Sequence, residues 1–426
     1  DLTSLNLLPW VPLAFFYESQ LIGVSFLIPT DVNFTVWLSF IIMFIIVPVV
    51  GTAIGYYPPS PAGMDYQGAW SQTTRVWASW YGPLAWPMYG ITIAAVLWPV
   101  IVGWPHYSTM FKGIFKKLPD EVEANQPFSF RTLWAGLILC LIVYIAVWVA
   151  IGAHPVLMFL FALGAVALAL GLGRMEADGG GYHFSYDWCN IEFMAVNIWA
   201  TPVGYAVTGL PPDTANWTSM FYAFTQYRNG DWYSTAFREG MNAYKIADLN
   251  KVHSRDVMVS QMVGMAIFAV VVCFTYLFLA FGYGVQGAYS NDWLAWWGGG
   301  FLAIQPTRPL HTGEYPWGVR PPVLGDYGGI LAAILFGFLL YFIRMKRPGF
   351  PIHPVGIAIA GVFGPRGFLP FIISWIAKNI IIRVGGAKLY EEKGVPFAAG
   401  LCVGAGINLI YVNVILFIWK VSGLPL

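Results

Sequence analysis

Seven stretches of this chain are apolar for about 20 residues at a time: Val32–Ile54, Leu84–Trp104, Leu133–Ile151, Val156–Leu172, Val257–Gly282, Gly328–Ile343 and Pro396–Trp419. Wound as a helix at about 1.5 Å per residue, such a run matches a hydrocarbon core roughly 30 Å thick. One water-soluble core cannot hide that many apolar runs. Three more runs are apolar but interrupted. Leu7–Ile28 contains Pro9, Pro12, Glu18 and Gln20; Ile191–Leu210 contains Glu192, Asn197 and Pro202; Pro354–Ile382 is broken by Gly361, Gly364, Pro365, Arg366 and Gly367. The pattern predicts an all-α fold, a polytopic transmembrane helical bundle with about 7–10 membrane segments that include broken or re-entrant helices.

Charge is scarce. Only 10% of residues are Asp, Glu, Lys or Arg, where an ordinary soluble domain carries about 25%. The 22 basic and 21 acidic residues nearly cancel, which leaves no basic stripe for nucleic acid. Aromatics reach 17% with 20 Trp, as expected where Trp and Tyr mark the two membrane interfaces. The expected location is the cell membrane, crossed several times, with the lipid bilayer as the first partner.

Residues 1–426 read as a single integral membrane domain. Trp70, Trp77 and Trp80 in 61–82, and Trp293, Trp296 and Trp297 in 284–325, mark Trp-rich connections on the outer side. The long connection 174–256, with Arg174, Arg228, Arg238, Lys245, Lys251 and Arg255, belongs on the inner side by the positive-inside tendency, as do Lys112–Lys117 and Arg344–Arg347. Within 174–256, Phe237, Met241 and Tyr244 predict a surface-lying helix leading into Val257. A last basic group, Lys378, Arg383, Lys388 and Lys393, falls outside if Pro354–Ile382 spans once, which conflicts with that tendency. Because the first residue is Asp1 rather than Met, the expectation is a processed start or the later part of a longer product.

No sequence pattern points to catalysis. There is no Walker-type loop, no H-E-x-x-H and no G-x-S-x-G; the six histidines are scattered, and the four cysteines have no zinc-ligand spacing. The expectation is a protein that is not an enzyme and holds no metal or cofactor. What remains are polar groups inside apolar runs, where a charge costs about 2.5–3.5 kcal/mol on insertion scales and so marks function by default. Glu18, between Phe16 and Leu21, is the sharpest. A dry setting would raise its pKa and let it load a proton near neutral pH; capping a short helix, or pairing with an Arg, is the structural alternative. Glu192 and Asn197 could line a polar path, and Arg366 or His353 could offer the countercharge. Asp31 reads as a helix cap. Gly400, Gly404 and Gly406 read as a small-residue packing face.

Several landmarks follow one another in a familiar order: Ser25-Phe-Leu-Ile-Pro-Thr-Asp31 before a Trp-containing span, Gln67-Gly-Ala-Trp70, Ala243-Tyr-Lys-Ile-Ala-Asp248, His353-Pro-Val-Gly356, then Trp375, Lys378, Arg383-Val-Gly-Gly386 and Leu389-Tyr390. With them the chain resembles the oligopeptide-transporter-like superfamily, specifically its uncharacterised prokaryotic branch. The resemblance implies a helical secondary transporter, with proton-coupled uptake of peptides or metal chelates in the studied branches. It also implies that this chain corresponds to the C-terminal two-thirds of a longer protein, with a separate N-terminal half or other membrane subunits as partners. The substrate-site motifs of the peptide-carrying branch are not among these landmarks, so the site residues rest on the polar groups above.

Two functional expectations follow. In one, a secondary transporter moves a small polar solute, with Glu18 titrating, Glu192 and Asn197 lining the path and Arg366 or His353 as countercharge. In the other, the chain is a non-transporting scaffold or subunit of a larger membrane complex. A transporter requires a water-accessible polar cavity reaching Glu18 and bounded by broken helices; a scaffold requires the same groups paired off in a dry core.

Overall fold

The structure, a computed structural model, describes residues 7–11, 17–55, 59, 85–124, 126–152, 155–179, 230–283, 324–363 and 365–422. Every regular element among the described residues is helical. In order they are α1 (Ser19–Leu27), α2 (Thr30–Phe40), α3 (Val47–Ala53), α4 (Ala85–Val102), α5 (Trp104–Lys112), α6 (Asp120–Glu123), α7 (Phe130–Ala150), α8 (Pro155–Gly179), α9 (Gly230–Leu249), α10 (Ser254–Tyr283), α11 (Leu324–Lys346), α12 (Pro354–Phe363), α13 (Pro365–Leu389) and α14 (Val395–Ser422). Wide π turns, Ile41–Ile46 and Tyr390–Gly394, join α2 to α3 and α13 to α14.

Five runs among the described residues are long and apolar enough to cross a membrane: Thr30–Ala53, Phe130–Ala150, Ser254–Thr275, Gly328–Lys346 and Gly367–Leu416. A sixth arises if Gly90–Val102 and Trp104–Lys112, bent by 80° at Gly103, count as one broken span. Several of these helices turn apolar side chains outward, as with Leu139 at 61% and Phe274 at 71% exposure. Lipid tails accept such a surface and water does not. This is a helical membrane protein.

Each break follows from local chemistry. Proline lacks the N–H that continues a helix, and Pro29 separates α1 from α2. Gly103 followed by Trp104-Pro105 ends α4 and restarts the chain as α5. α12 is described to Phe363 and α13 from Pro365, on either side of the expected Gly-Pro-Arg-Gly interruption. Gly386 takes φ 69°, a conformation that costs glycine little and other residues much, and it kinks α13 near its end.

The chain forms two compact units. One contains Asp1–Trp98, Arg174–Asn197 and Tyr315–Val414. Its core joins α1 and α2 to α13, with α12 laid along α2. In the same unit α4 and α11 form a parallel seam that repeats every four residues. Gly90 meets Ala333, Gly329 meets Trp86, and a Cβ on Gly337 would stand 2.7 Å from that of Ala94. The Trp98 and Tyr341 rings stack 5.9 Å apart one turn further on. Small residues at this spacing bring two helix backbones into close contact, the main attraction available inside lipid.

The other unit contains Pro99–Gly173, Ile198–Glu314 and Ile415–Leu426. Here α7 starts at the Ser129 cap, whose hydroxyl accepts the Thr132 N–H at 3.3 Å. Trp134 ties α7 to α5, donating to the Met110 carbonyl at 3.0 Å with its ring stacked on Phe111 at 5.2 Å. The expected surface-lying helix is α9, which packs on α10. The Trp-rich residues 61–82 and 284–323 lie outside the described residues, as does 180–229 of the long connection.

Candidate functional site

The first unit places two polar regions at opposite ends of α1. This helix has nine residues, about 14 Å at the usual rise, so it covers less than half of a hydrocarbon core. The last carbonyls of any helix lack intrahelical partners, and inside a membrane protein each unpaired one costs several kcal/mol. Here tertiary contacts supply them. Val24 O accepts the Ile28 N–H at 3.2 Å, Ser25 O the Asn33 side-chain amide at 2.9 Å, Phe26 O the Tyr390 hydroxyl at 3.4 Å and Ile28 O the Lys378 ammonium at 2.8 Å. The hydroxyls of Ser25 and Ser374 stand 2.6 Å apart, and Ser374 donates to Ile22 O at 2.9 Å.

Lys378 is the energetic centre of this junction. Its residue is 6% exposed, and burying an ammonium costs several kcal/mol unless something compensates. No carboxylate pairs with it among the described residues. Its support comes from the Ile28 carbonyl, from the negative end of the α1 dipole and from the Tyr390 ring, 4.6 Å from Nζ to the ring centre. Asn33, fully buried, turns its amide nitrogen to Ser25 O; among the described residues its Oδ1 and, one turn on, the Trp37 Nε1–H meet no partner. The Phe34, Trp37 and Trp375 rings close over this region with centroids 5.1–5.8 Å apart.

A second network holds α12 against α2. Asp31 lies in the first turn of α2, accepts the Val32 N–H at 3.0 Å and pairs with Arg344 at 2.6 Å. Asp31 is therefore not the expected cap: Pro29 holds that position, and Asp31 sits inside the first turn, tied by an ion pair to the end of α11. Arg344 also donates to Phe350 O at 2.8 Å, fixing the turn into α12. Thr35 Oγ1 accepts the His353 N–H at 2.8 Å. His353 Nδ1 accepts the Val355 N–H at 3.2 Å, so the imidazole caps α12 with Pro354 in the first turn. Gly356 lets α12 approach: a Cβ there would stand 2.6 Å from Thr35 Cβ and 2.8 Å from Val32 O.

Burial, with the Arg344 charge acting the same way and Asp31 against it, pushes the His353 ring down to about 4. Burial thus favours the neutral ring, in keeping with Nδ1 accepting the Val355 N–H. Nearby, burial raises the Asp178 carboxyl above the usual carboxylate range while Arg174, 2.9 Å away, pulls it back.

The other end of α1 is open. Glu18 precedes the first turn of α1 and makes no side-chain capping bond. It lines a cleft of about 570 Å³ between the start of α1 and α14, together with Gln20, Gly400, Gly404, Asn408 and Asn413. Among the described residues Gly400, Gly404 and Gly406 do not form the expected packing face: a Cβ on any of them would meet nothing within 4 Å, and the first two line the cleft. Contact between α1 and α14 is made lower down, where Gly23 lies against the Ala398 carbonyl and the Cys402 sulfur.

Of the residues singled out from sequence, Glu18 and His353 thus belong to separate networks. Glu192 and Asn197 lie outside the described residues, and Arg366 falls in the first turn of α13 with its side chain outside them. No group of three or more His, Cys, Asp or Glu among the described residues could hold a metal ion. The residues missed are Asn33, Ser374 and above all Lys378, which the sequence reading places in the last basic group with Arg383, Lys388 and Lys393. Its signal was present: it lies inside the apolar run Phe368–Ile382. A buried Lys378 also drops out of the orientation count, which lightens the conflict over the last basic group.

The quoted landmarks Ser25–Asp31, His353–Gly356, Trp375, Lys378, Gly386 and Tyr390 all lie in this one unit. No curated protein matches the chain. A family defined by sequence does match it, over residues 3–426, and the chain belongs to that family of unknown function, DUF6785.

Proposed function

We propose that the protein is a multi-pass transporter of the cell membrane that moves a small polar solute, with Glu18 loading and releasing the coupling proton. The observation that carries this reading is the position of Glu18 on an open cleft at the start of a half-helix. A scaffold has no need of a carboxylate on an open cleft; transporters place substrate and ion sites where discontinuous helices end. Breaks at Pro29 and Gly103 supply such ends. Peptides and metal chelates are the solute classes that the oligopeptide-transporter-like resemblance implies. Glu192, Asn197 and Arg366 remain candidates for the path, and His353 belongs to the separate network that holds α12 against α2.

The test is solute-dependent proton movement. Purified full-length chain is placed in proteoliposomes containing a pH-sensitive dye and challenged with tripeptides, ferric chelates and small amines. The expected result is a proton flux in either direction that depends on one solute class and falls at least tenfold in Glu18→Gln. Flux with no class, or flux indifferent to Glu18→Gln, rejects the reading.

The open glycine face of α14 favours a second reading, in which a helix from another subunit packs there. In that case the chain is a scaffold or subunit of a larger membrane complex. Cross-linking from a cysteine at Gly404 to a second polypeptide, with no solute flux, is the outcome that would select it.

A further inference from the structure

We propose that the Glu18 cleft takes a small organic cation, bearing an ammonium or guanidinium group, and that the protein exchanges it for a proton. This rests on the transport reading and narrows it to a solute class and a direction of coupling. Among the described residues, Glu18 is the one charged side chain on the cleft wall. It makes no capping bond and no ion pair among the described residues. Its neighbours are neutral and rich in acceptors. Asn413 commits its amide nitrogen to Leu409 O at 2.8 Å, which leaves its carbonyl oxygen as the free group. Gln20 and Asn408 add two more amides, and Tyr17 adds an aromatic ring. Acceptors around a carboxylate, with a ring beside them, suit a cation that donates several N–H bonds. An anion would meet the carboxylate at the place where the start of α1 would otherwise favour it.

The direction follows from charge balance. One carboxylate can be neutralised by a proton or by a bound cation, not by both. Cation entry onto a protonated Glu18 would therefore form a carboxylate–cation pair and release one proton; protonation reverses it. The other titratable groups near Glu18 are the Tyr17 phenol and, from α14, the Cys402 thiol, which lies 3.6 Å from the Gln20 carbonyl. Phenols and thiols ordinarily titrate above neutrality. From α13, the Lys378 ammonium meets α1 at its far end, at Ile28. Glu18 is therefore the group that exchanges.

Radiolabelled guanidinium is the probe, because it stays charged across the whole range and cannot cross lipid as a neutral base. Binding to the full chain in nanodiscs is measured from pH 4 to 9. Affinity is expected to fall about tenfold per pH unit on the acid limb and to level off on the alkaline limb. Glu18→Gln should weaken binding at least tenfold and flatten the profile. Glu18→Asp should retain binding with a displaced acid limb, and Asn408→Leu should weaken it several-fold with the profile unchanged. In proteoliposomes, an acid interior should drive guanidinium inward as protons leave. Absent binding in the wild-type chain, equal binding in a monodisperse Glu18→Gln, preferential binding of acetate, or guanidinium and protons moving together would each overturn the proposal. Glu18-dependent binding without flux would remove the transport reading and leave the site standing. Tripeptide-driven proton flux without guanidinium binding would do the reverse.

Discussion

The two ends of α1 are separated by nine residues and treat polar groups in opposite ways. At the C-terminal end the freed carbonyls are met by side chains from α2, α13 and the following π turn, and Lys378 is sealed among them. At the N-terminal end Glu18 faces a cleft and engages no cap. Both ends carry a charge inside an apolar run, yet one charge is built into the packing and the other is left available. The difference separates a residue kept for the fold from one kept for a ligand, which sequence position alone does not do.

The comparison breaks first at Lys378. Replacing it with Ala removes the donor to Ile28 O and leaves a cavity, at a cost of about 3–4 kcal/mol. Denaturant unfolding in micelles should register this as the largest loss among these variants.

His353 sharpens the same closed region through pH. Its folded pKa, about 4, lies below the unfolded value near 6.5. Between these values the unfolded chain binds the proton that the folded chain refuses. The stability contribution is therefore full above about 6.5 and is lost as pH falls toward 4, by roughly 3 kcal/mol. His353→Asn keeps a capping acceptor and removes the titration. It should flatten this slope while leaving stability at pH 7 nearly unchanged; a slope retained in the variant would assign it to another group.

Gly23 tests the middle of α1. A Cβ there would stand 2.6 Å from Ala398 O and 2.8 Å from Cys402 Sγ, so Gly23→Ala forces α1 and α14 apart at a cost of about 1–3 kcal/mol. A thermal scan should show the loss. The smallest effect belongs to the open end. Glu18→Gln should change unfolding stability by less than about 0.5 kcal/mol, as substitutions outside packed features do, even as it removes proton-linked flux. A large destabilisation would show that Glu18 is as structural as Lys378.

Much of the fold was legible because apolar runs, prolines and glycines act locally. The helix α9 was visible in the spacing of Phe237, Met241 and Tyr244. The α4–α11 seam was legible in principle, since Gly329, Ala333 and Gly337 recur every four residues, but Gly400 and Gly404 of α14 share that spacing and stay open among the described residues. The same small-residue signal thus had two outcomes. The site was legible only in part: Glu18 stood out as a charge in an apolar run, and so should Lys378 have done.

Run length and the placing of prolines and glycines were enough to specify a helical membrane protein, because helix formation in lipid depends on the composition and length of each run. Which charges are spent depends instead on how distant helices pack. Asp31 meets Arg344 across 313 positions of chain, and Lys378 reaches Ile28 across 350. Such pairings decide whether a charge is satisfied or left open at Glu18, and they exist only once distant helices pack.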